Sequence, residues 1–384
     1  MNIETADRLK QLPPYLFAKI DQMKQEVKAK GIDILDFGVG DPDLPTPNFI
    51  VEALKEGLTH KDYHRYSSYS GATTLKETIA QWFIKRFNVQ LNPQTEIIVL
   101  IGSKEGIAHM PLAMINPGEK VLYTTPGYPV YKVATQFAGG IPVPIPLTAE
   151  NQFLPNLSGI KDHGKLFFFN YPNNPTSATA SLSFFEEVTN WAKKQETLLC
   201  HDAAYSEIYF GKDPSPSILQ IPEAKDISIE FHSLSKTFNM TGWRVGFAVG
   251  NAKLIEALGK IKTNVDSGQF LAIQHAASIA LQKGDFFIQE QQSTFLKRRN
   301  LLVSGLHSIG LEVFPSDSTF YVWTKVPNPY SSIEFSTTLL NKLGIVTTPG
   351  VGFGDAGEGY IRFSLTVPEE QTLKALNKLK HFSL

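Results

Sequence analysis

The sequence predicts an α/β protein built on a mainly parallel sheet. Three observations lead there. Short, continuously apolar runs recur along the first two-thirds of the chain, as strands covered on both faces require. Stretches with apolar residues at helical spacing alternate with them. Glycines and polar residues cluster just after the strand-like runs, the edge at which open α/β sheets hold their ligands.

Taken in order, Ile20 to Lys30 has helical spacing with many charges, and Gly31 stops it. A short strand, Ile34-Leu35-Asp36-Phe37, runs into Gly38-Val39-Gly40-Asp41-Pro42. Thr74 with Glu77 reads as a capping box, and Leu75, Ile79, Trp82, Phe83 and Phe87 follow at helical spacing. Ile97 to Ile101 is a buried strand that ends in Gly102-Ser103-Lys104-Glu105-Gly106, where a helix resumes. Val121 to Tyr123 ends at Pro126-Gly127-Tyr128, and Leu166 to Phe169 ends at Asn170-Tyr171-Pro172-Asn173-Asn174-Pro175. Ser183 with Glu186 reads as the cap of the next helix. Thr197 to Cys200 leads to His201-Asp202, Ile227 to Phe231 leads to Ser233-Leu234-Ser235-Lys236, and Val245 to Val249 is a sixth strand. After about residue 285 the texture changes to a long charged helix (Gln289 to Leu306), then Phe320 to Trp323, a helix opened by Ser331 and Glu334, and Tyr360 to Phe363: a smaller α+β domain.

Composition narrows the function classes. Of 384 residues, 42% are apolar and 19% charged, which suits a buried core and not a disordered chain. Thirty-six Lys and Arg against 37 Asp and Glu give no electrostatic reason to expect nucleic acid or an anionic membrane as partner. The single cysteine, Cys200, rules out an intramolecular disulfide and fits a reducing compartment. No apolar run approaches the ~20 residues that span a bilayer, and the first residues lack the apolar core of a signal peptide. The expectation is a cytoplasmic protein without metal.

Gly352-Phe353-Gly354-Asp355-Ala356-Gly357 matches a dinucleotide fingerprint in letters only, because a strand-like segment follows it and not a helix. Ser233-Leu234-Ser235-Lys236, with Arg244 eight residues after the lysine, is the stronger signal. It could be a surface loop with two unrelated cations. It could equally present a lysine of lowered pKa for a Schiff base with an aldehyde cofactor, with Ser233, Ser235 and Arg244 on a phosphate. Asp202 at a strand end could cap a helix, or pair with a protonated pyridine nitrogen and keep that ring an electron sink. Asn173-Asn174-Pro175 could be a turn, or Asn174 could reach a phenolic oxygen. Gly102-Ser103-Lys104 offers free N–H groups at a helix start, a ready phosphate site.

In this order, and all after strand ends, these motifs resemble the pyridoxal-phosphate aminotransferases of fold type I, classes I and II, over about Leu12 to Thr366. The resemblance implies a mainly parallel seven-stranded sheet sandwiched by helices, and a smaller α+β domain. It implies an N-terminal segment (1–35) packing with the small domain, a large cofactor-binding domain (36–284) and a small C-terminal domain (285–384). It makes Lys236 the Schiff-base lysine, Asp202 the pyridine-nitrogen partner, and Tyr205 and Asn174 the ligands of the ring oxygen. Tyr128 looks like the aromatic stacked on the ring, and Ser103, Lys104, Ser233, Ser235 and Arg244 fall where the family binds phosphate. Tyr66 matches a tyrosine that reaches the phosphate of the partner subunit, so a homodimer with sites at the interface is implied. Arg362 matches the clamp of the substrate α-carboxylate, and Gly40 lies where backbone approaches it.

Several stretches look closest to LL-diaminopimelate aminotransferases: Leu12 to Phe17, Gly102 to His109, His201 to Ile208 and Gly357 to Thr366. Tyr15 matches a substrate-side tyrosine there, while Asn264 and Ser267 compete for one partner-subunit role. The implied reaction is transamination between an amino acid and a 2-oxo acid, with LL-2,6-diaminopimelate and 2-oxoglutarate leading, in lysine biosynthesis. Aspartate, alanine or aromatic substrates, a β-lyase or decarboxylase, and a non-catalytic sensor are the alternatives.

Overall fold

The computed structural model describes residues 3–10, 12, 16–211, 213–315 and 317–382. Its strands, in chain order, are β1 (Leu35–Asp36), β2 (Ile97–Leu100), β3 (Lys120–Thr125), β4 (Ile141–Pro146), β5 (Leu166–Asn170), β6 (Leu198–Asp202), β7 (Ser228–Ser233), β8 (Gly246–Gly250), β9 (Tyr321–Lys325), β10 (Ile345–Val346), β11 (Thr348–Pro349) and β12 (Tyr360–Ser364). Seven of them form one sheet in the order β2-β8-β7-β6-β5-β3-β4. Only β8 runs against the rest, antiparallel to both β7 and β2.

The apolar runs are strands because both their faces are covered. In β5, Phe167 and Phe169 point to one side, where they pack with Leu75, Ile79 and Phe83 of helix Thr73–Phe87 and with Phe184, Phe185 and Val188 of helix Leu182–Lys194. Leu166 and Phe168 point to the other, among Ile107 and Met110 of helix Ser103–Met114, Tyr131 of helix Val130–Phe137 and Leu258 of helix Ala252–Val265. This period-2 alternation also sets Cys200 and Asp202 of β6 on the face opposite His201.

The seventh strand, β4, has the sequence Ile-Pro-Val-Pro-Ile-Pro and is not evident as a strand in the sequence, because proline cannot donate to a ladder. Its position resolves the conflict. Ile141 N–H bonds to Glu119 O at 2.9 Å and Leu147 N–H to Thr125 O at 2.7 Å, so the odd-numbered residues face β3. Pro142, Pro144 and Pro146 therefore face the open edge. At the far edge, Val99 of β2 donates its N–H to Ser70 O at 3.0 Å.

A second, antiparallel sheet has the order β11-β12-β9, and β1 pairs in parallel with β10. Helices Asp285–Ser308, Ser332–Leu343 and Glu369–Lys380 pack around them through Leu302, Leu339 and Leu376. Val27 of helix Leu16–Ala29 packs with Leu340 and Val346. Among the described residues no helix is long and apolar enough to cross a membrane.

Two of the three predicted caps differ. Helix Thr73–Phe87 starts after Ala72, with no side-chain cap; the Ala72 N–H is met at 2.6 Å by Gln274 Oε1 from a distant helix, so Thr74 and Glu77 form no box. Helix Leu182–Lys194 is capped by Ser181, not Ser183, through the Phe184 N–H at 3.2 Å. The Ser331–Glu334 box is formed.

Candidate active site

A cavity of about 520 Å³ opens at the carboxyl ends of β2, β5, β6 and β7 and is closed on its other side by β12 and the segment after β1. Lys236 enters it from the short helix Leu234–Thr237 that follows β7. Its Nζ donates to Gly40 O at 2.9 Å. Burial pushes its ammonium down to about 8, with Arg362 and Arg244 acting the same way and Asp41 opposing them. A lysine so placed is a free amine at mildly alkaline pH and hence a competent nucleophile and base.

Asp202 ends β6 and is buried. Burial raises its carboxyl, while the Tyr131 hydroxyl (2.8 Å) and the Ala204 N–H (3.2 Å) donate to it and limit the rise. Asn170, at the end of β5, donates to Asp202 O at 2.6 Å and accepts the Asn174 N–H at 2.7 Å. It thereby ties the two strand ends to the Asn174 loop. Tyr205 and Tyr321 meet hydroxyl to hydroxyl at 3.0 Å.

The opposite end of the cavity is cationic. Gly102 turns with φ +79° into helix Ser103–Met114, whose first N–H groups lack helical partners. A Cβ on Gly102 would stand 2.1 Å from Arg244 Nη2, so only glycine lets the guanidinium lie against this turn. Lys104, Ser233 and Ser235 line the same end, and Gln269 steadies Arg244 by donating to its carbonyl at 2.7 Å. Converging cations and helix N–H groups suit a phosphate. Tyr128 stands between this end and Tyr131, edge-on to the Tyr131 ring at 6.0 Å.

Arg362 of β12 closes the site. Its Nη1 donates to Asn174 Oδ1 at 2.8 Å and its Nη2 to Gly38 O at 2.8 Å. The guanidinium lies 4.1 Å from the Tyr321 ring centre and 4.7 Å from that of Phe353. Its Nε is buried with no acceptor among the described residues. A Cβ on Gly40 would overlap the Tyr321 hydroxyl at 2.0 Å. The segment carrying Gly38 and Gly40 is held by Asp43, paired in two prongs with the buried Arg298 at 2.7 and 2.9 Å.

The sequence model of the family described as aminotransferase class I and II matches residues 32–379. The chain belongs to the class I and II aminotransferases. It is 52% identical to an LL-diaminopimelate aminotransferase of Aquifex aeolicus, covering 99% of this chain and 100% of that one. It is 50% identical to an enzyme of the same name from Halothermothrix orenii, covering 99% and 98%. A substrate-bound structure of BacF from Bacillus subtilis superposes with a TM-score of 0.94 at 35% identity, covering 99% and 98%. A structure of a probable N-succinyldiaminopimelate aminotransferase from Thermus thermophilus does so with 0.90 at 31%, covering 95% and 99%.

Of the residues the sequence singles out in this aminotransferase, Gly40, Ser103, Lys104, Tyr128, Asn174, Asp202, Tyr205, Ser233, Ser235, Lys236, Arg244 and Arg362 all line the one cavity. Tyr66 is 88% exposed and stands outside it in a single chain, as do Asn264 and Ser267. Tyr15 lies outside the described residues. Tyr131, Tyr321, Asn170 and Phe353 were not legible as site residues. For the two tyrosines a signal existed: a hydroxyl within an apolar run needs a buried partner.

Proposed function

We propose that this aminotransferase uses pyridoxal 5′-phosphate to move an amino group from LL-2,6-diaminopimelate to 2-oxoglutarate, a step of lysine biosynthesis. The observation that carries the chemistry is the buried Lys236 amine in one cavity with Asp202 and Arg362. The full-length identity to enzymes named LL-diaminopimelate aminotransferase supports the substrate.

The residues present fit that cofactor. Ser103, Lys104, Ser233, Ser235 and Arg244 would hold its phosphate, in the cradle that a side chain at Gly102 would fill. Asp202 would meet the ring nitrogen, Asn174 and Tyr205 the ring oxygen, and Tyr128 a ring face. When bound, the cofactor supplies an aldehyde that takes up amines and a pyridinium ring that holds electron density released at the substrate Cα.

The protein's own groups do the rest. Arg362, now on Gly38 O and Asn174 Oδ1, turns its two prongs to the substrate α-carboxylate. Lys236 Nζ is the base that would remove the substrate Cα proton and hold it for return. Asp202, when ionised, would keep a proton on the ring nitrogen. Because donor and acceptor share an α-carboxylate, one clamp serves both halves of a ping-pong reaction. Tyr66 of a second copy would reach the phosphate, in a cytoplasmic homodimer.

The test is a donor panel with purified enzyme: LL-diaminopimelate, its N-succinyl derivative, aspartate, alanine and phenylalanine, each with 2-oxoglutarate. LL-diaminopimelate should give the highest kcat/KM, and Lys236→Ala should abolish turnover with the far-ultraviolet dichroism unchanged. A higher kcat/KM with another donor overturns the substrate, and turnover by the variant overturns the mechanism.

A further inference from the structure

Lys262 of helix Ala252–Val265 is 1% exposed and lines no part of the cavity. An ammonium is hardly ever so deep unless it is paired. Its Nζ lies between two carboxylates from different parts of the chain. Asp266 offers both oxygens, at 2.8 and 2.9 Å, and Glu105 of helix Ser103–Met114 stands across from it at 3.3 Å. The chemistry proposed above makes no use of this trio.

Each carboxylate also holds a backbone N–H beside the cationic end of the cavity. Glu105 Oε2 accepts the Ile101 N–H at 2.7 Å, next to the Gly102 turn that opens helix Ser103–Met114. Asp266 Oδ1 accepts the Gly268 N–H at 2.7 Å, next to Gln269. Gln269 Nε2 donates in turn to Trp243 O at 2.9 Å and to Arg244 O at 2.7 Å. The Gly102 turn and the Arg244 backbone are thus each a short relay from Lys262 Nζ. Strand pairing joins the same two segments, with Leu100 of β2 opposite Gly246 of β8, but the ladder stops there. The Gly102 turn lies past the end of β2, and Arg244 lies before the start of β8. Beyond the strand ends the ammonium bridges the two relays. Without it, two like charges would face each other across the gap.

We propose that Lys262 is a positioning residue for the cofactor phosphate: by joining Glu105 to Asp266 it sets the spacing between the N–H groups that follow Gly102 and the guanidinium of Arg244, a role that rests on the reading of this end of the cavity as a phosphate cradle. The tolerance is small. A Cβ on Gly102 would stand 2.1 Å from Arg244 Nη2, so turn and guanidinium already lie against each other. A shift of either changes the angles at which both would meet one anion, and hydrogen bonds weaken steeply with angle. Lys262 touches no ligand and acts only through the two relays.

The test compares pyridoxal 5′-phosphate with pyridoxal, which has the same ring and aldehyde and no phosphate, by absorbance titration of cofactor-free enzyme. The readout is the ratio of the two dissociation constants. General loosening of the fold weakens both ligands and leaves the ratio alone. In Lys262→Met the preference for the phosphorylated ligand should fall about ten- to hundred-fold, the worth of one hydrogen bond to a charged group. That variant leaves two carboxylates, 13% and 17% exposed, without their cation. The deciding variant is therefore the triple Lys262→Met, Glu105→Gln, Asp266→Asn. It keeps an acceptor for the Ile101 and Gly268 N–H groups and removes the link between them. It also takes a net negative charge from beside the cradle, which alone would favour phosphate, so a fall in preference reports position and not field. A preference within twofold of wild type in the triple overturns the proposal. Should the triple not fold, Asp266→Asn decides by the same criterion. Its amide oxygen still serves Gly268 while its NH₂ opposes the ammonium, and the expected fall is about three- to tenfold. If wild-type enzyme binds pyridoxal 5′-phosphate no tighter than pyridoxal, the phosphate cradle itself fails, and the role of Lys262 with it.

Discussion

Arg362→Lys keeps a positive charge in the cavity and removes the fork. In the wild-type chain the two terminal nitrogens of the guanidinium each hold an oxygen at 2.8 Å. A lysine ammonium presents one compact charge and cannot meet both oxygens of a carboxylate in plane. One lost hydrogen bond to a charged group costs about 1.5–3 kcal/mol. The guanidinium also lies over Tyr321 at 4.1 Å and Phe353 at 4.7 Å, contacts that add about 0.5–1 kcal/mol. Together this is about 2–4 kcal/mol, or roughly a thirty- to thousand-fold rise in KM. The assay varies the amino donor at saturating 2-oxo acid, then the reverse. Both KM values should rise, because both substrates carry the α-carboxylate. The affinity for pyridoxal 5′-phosphate should stay as it was, since the proposed phosphate cradle lies at the Arg244 end. A KM within threefold of wild type for both substrates refutes the role of Arg362 as the clamp.

Three further outcomes follow from the same geometry. Gly102→Ala places a Cβ 2.1 Å from Arg244 Nη2 at a φ of +79°; it should weaken the binding of pyridoxal 5′-phosphate by about 1–3 kcal/mol, and an unchanged dissociation constant by fluorescence titration would contradict the cradle. Arg298→Met removes a buried guanidinium that holds the partly exposed Asp43 carboxylate and the Leu365 carbonyl and should cost about 1–3 kcal/mol of stability, read as the free energy of urea unfolding; no measurable loss would count against it. Lys236 titrates at about 8 in the fold against 10.5 for the ordinary side chain, so between those values the unfolded chain binds more protons and stability rises with pH, by up to about 3 kcal/mol. In cofactor-free protein Lys236→Met should lack that slope, and parallel pH profiles of wild type and variant would refute the burial argument.

The parts of the site that lie at strand ends were legible because short motifs define them. Ser233-Leu234-Ser235-Lys236 and Cys200-His201-Asp202 each carry their chemistry within a few residues of an apolar run. Tyr131 was not legible, because its role depends on a contact with a residue 71 positions away. The same holds for the start of helix Thr73–Phe87, where Gln274, 202 positions away, accepts the Ala72 N–H. Strand β4 was masked for a different reason: proline's local preference argues against a strand, and only its place at an edge makes the two compatible. Tyr66 is singled out by a family motif whose proposed role lies in a second copy of the chain, and within one copy it stands exposed.

The prolines of β4 have a consequence beyond the fold. An open sheet edge is a template on which another chain can continue the ladder, the usual route to β-aggregation. Here Pro142, Pro144 and Pro146 leave the β4 edge with no N–H to offer an incoming strand, and the Ser70 carbonyl already occupies an N–H on the outer side of β2. Both flanks of the large sheet therefore resist templating. In the proposed homodimer a second copy would dock through side chains on helices and loops, which would keep that pairing chemically distinct from the pairing that precipitates a protein.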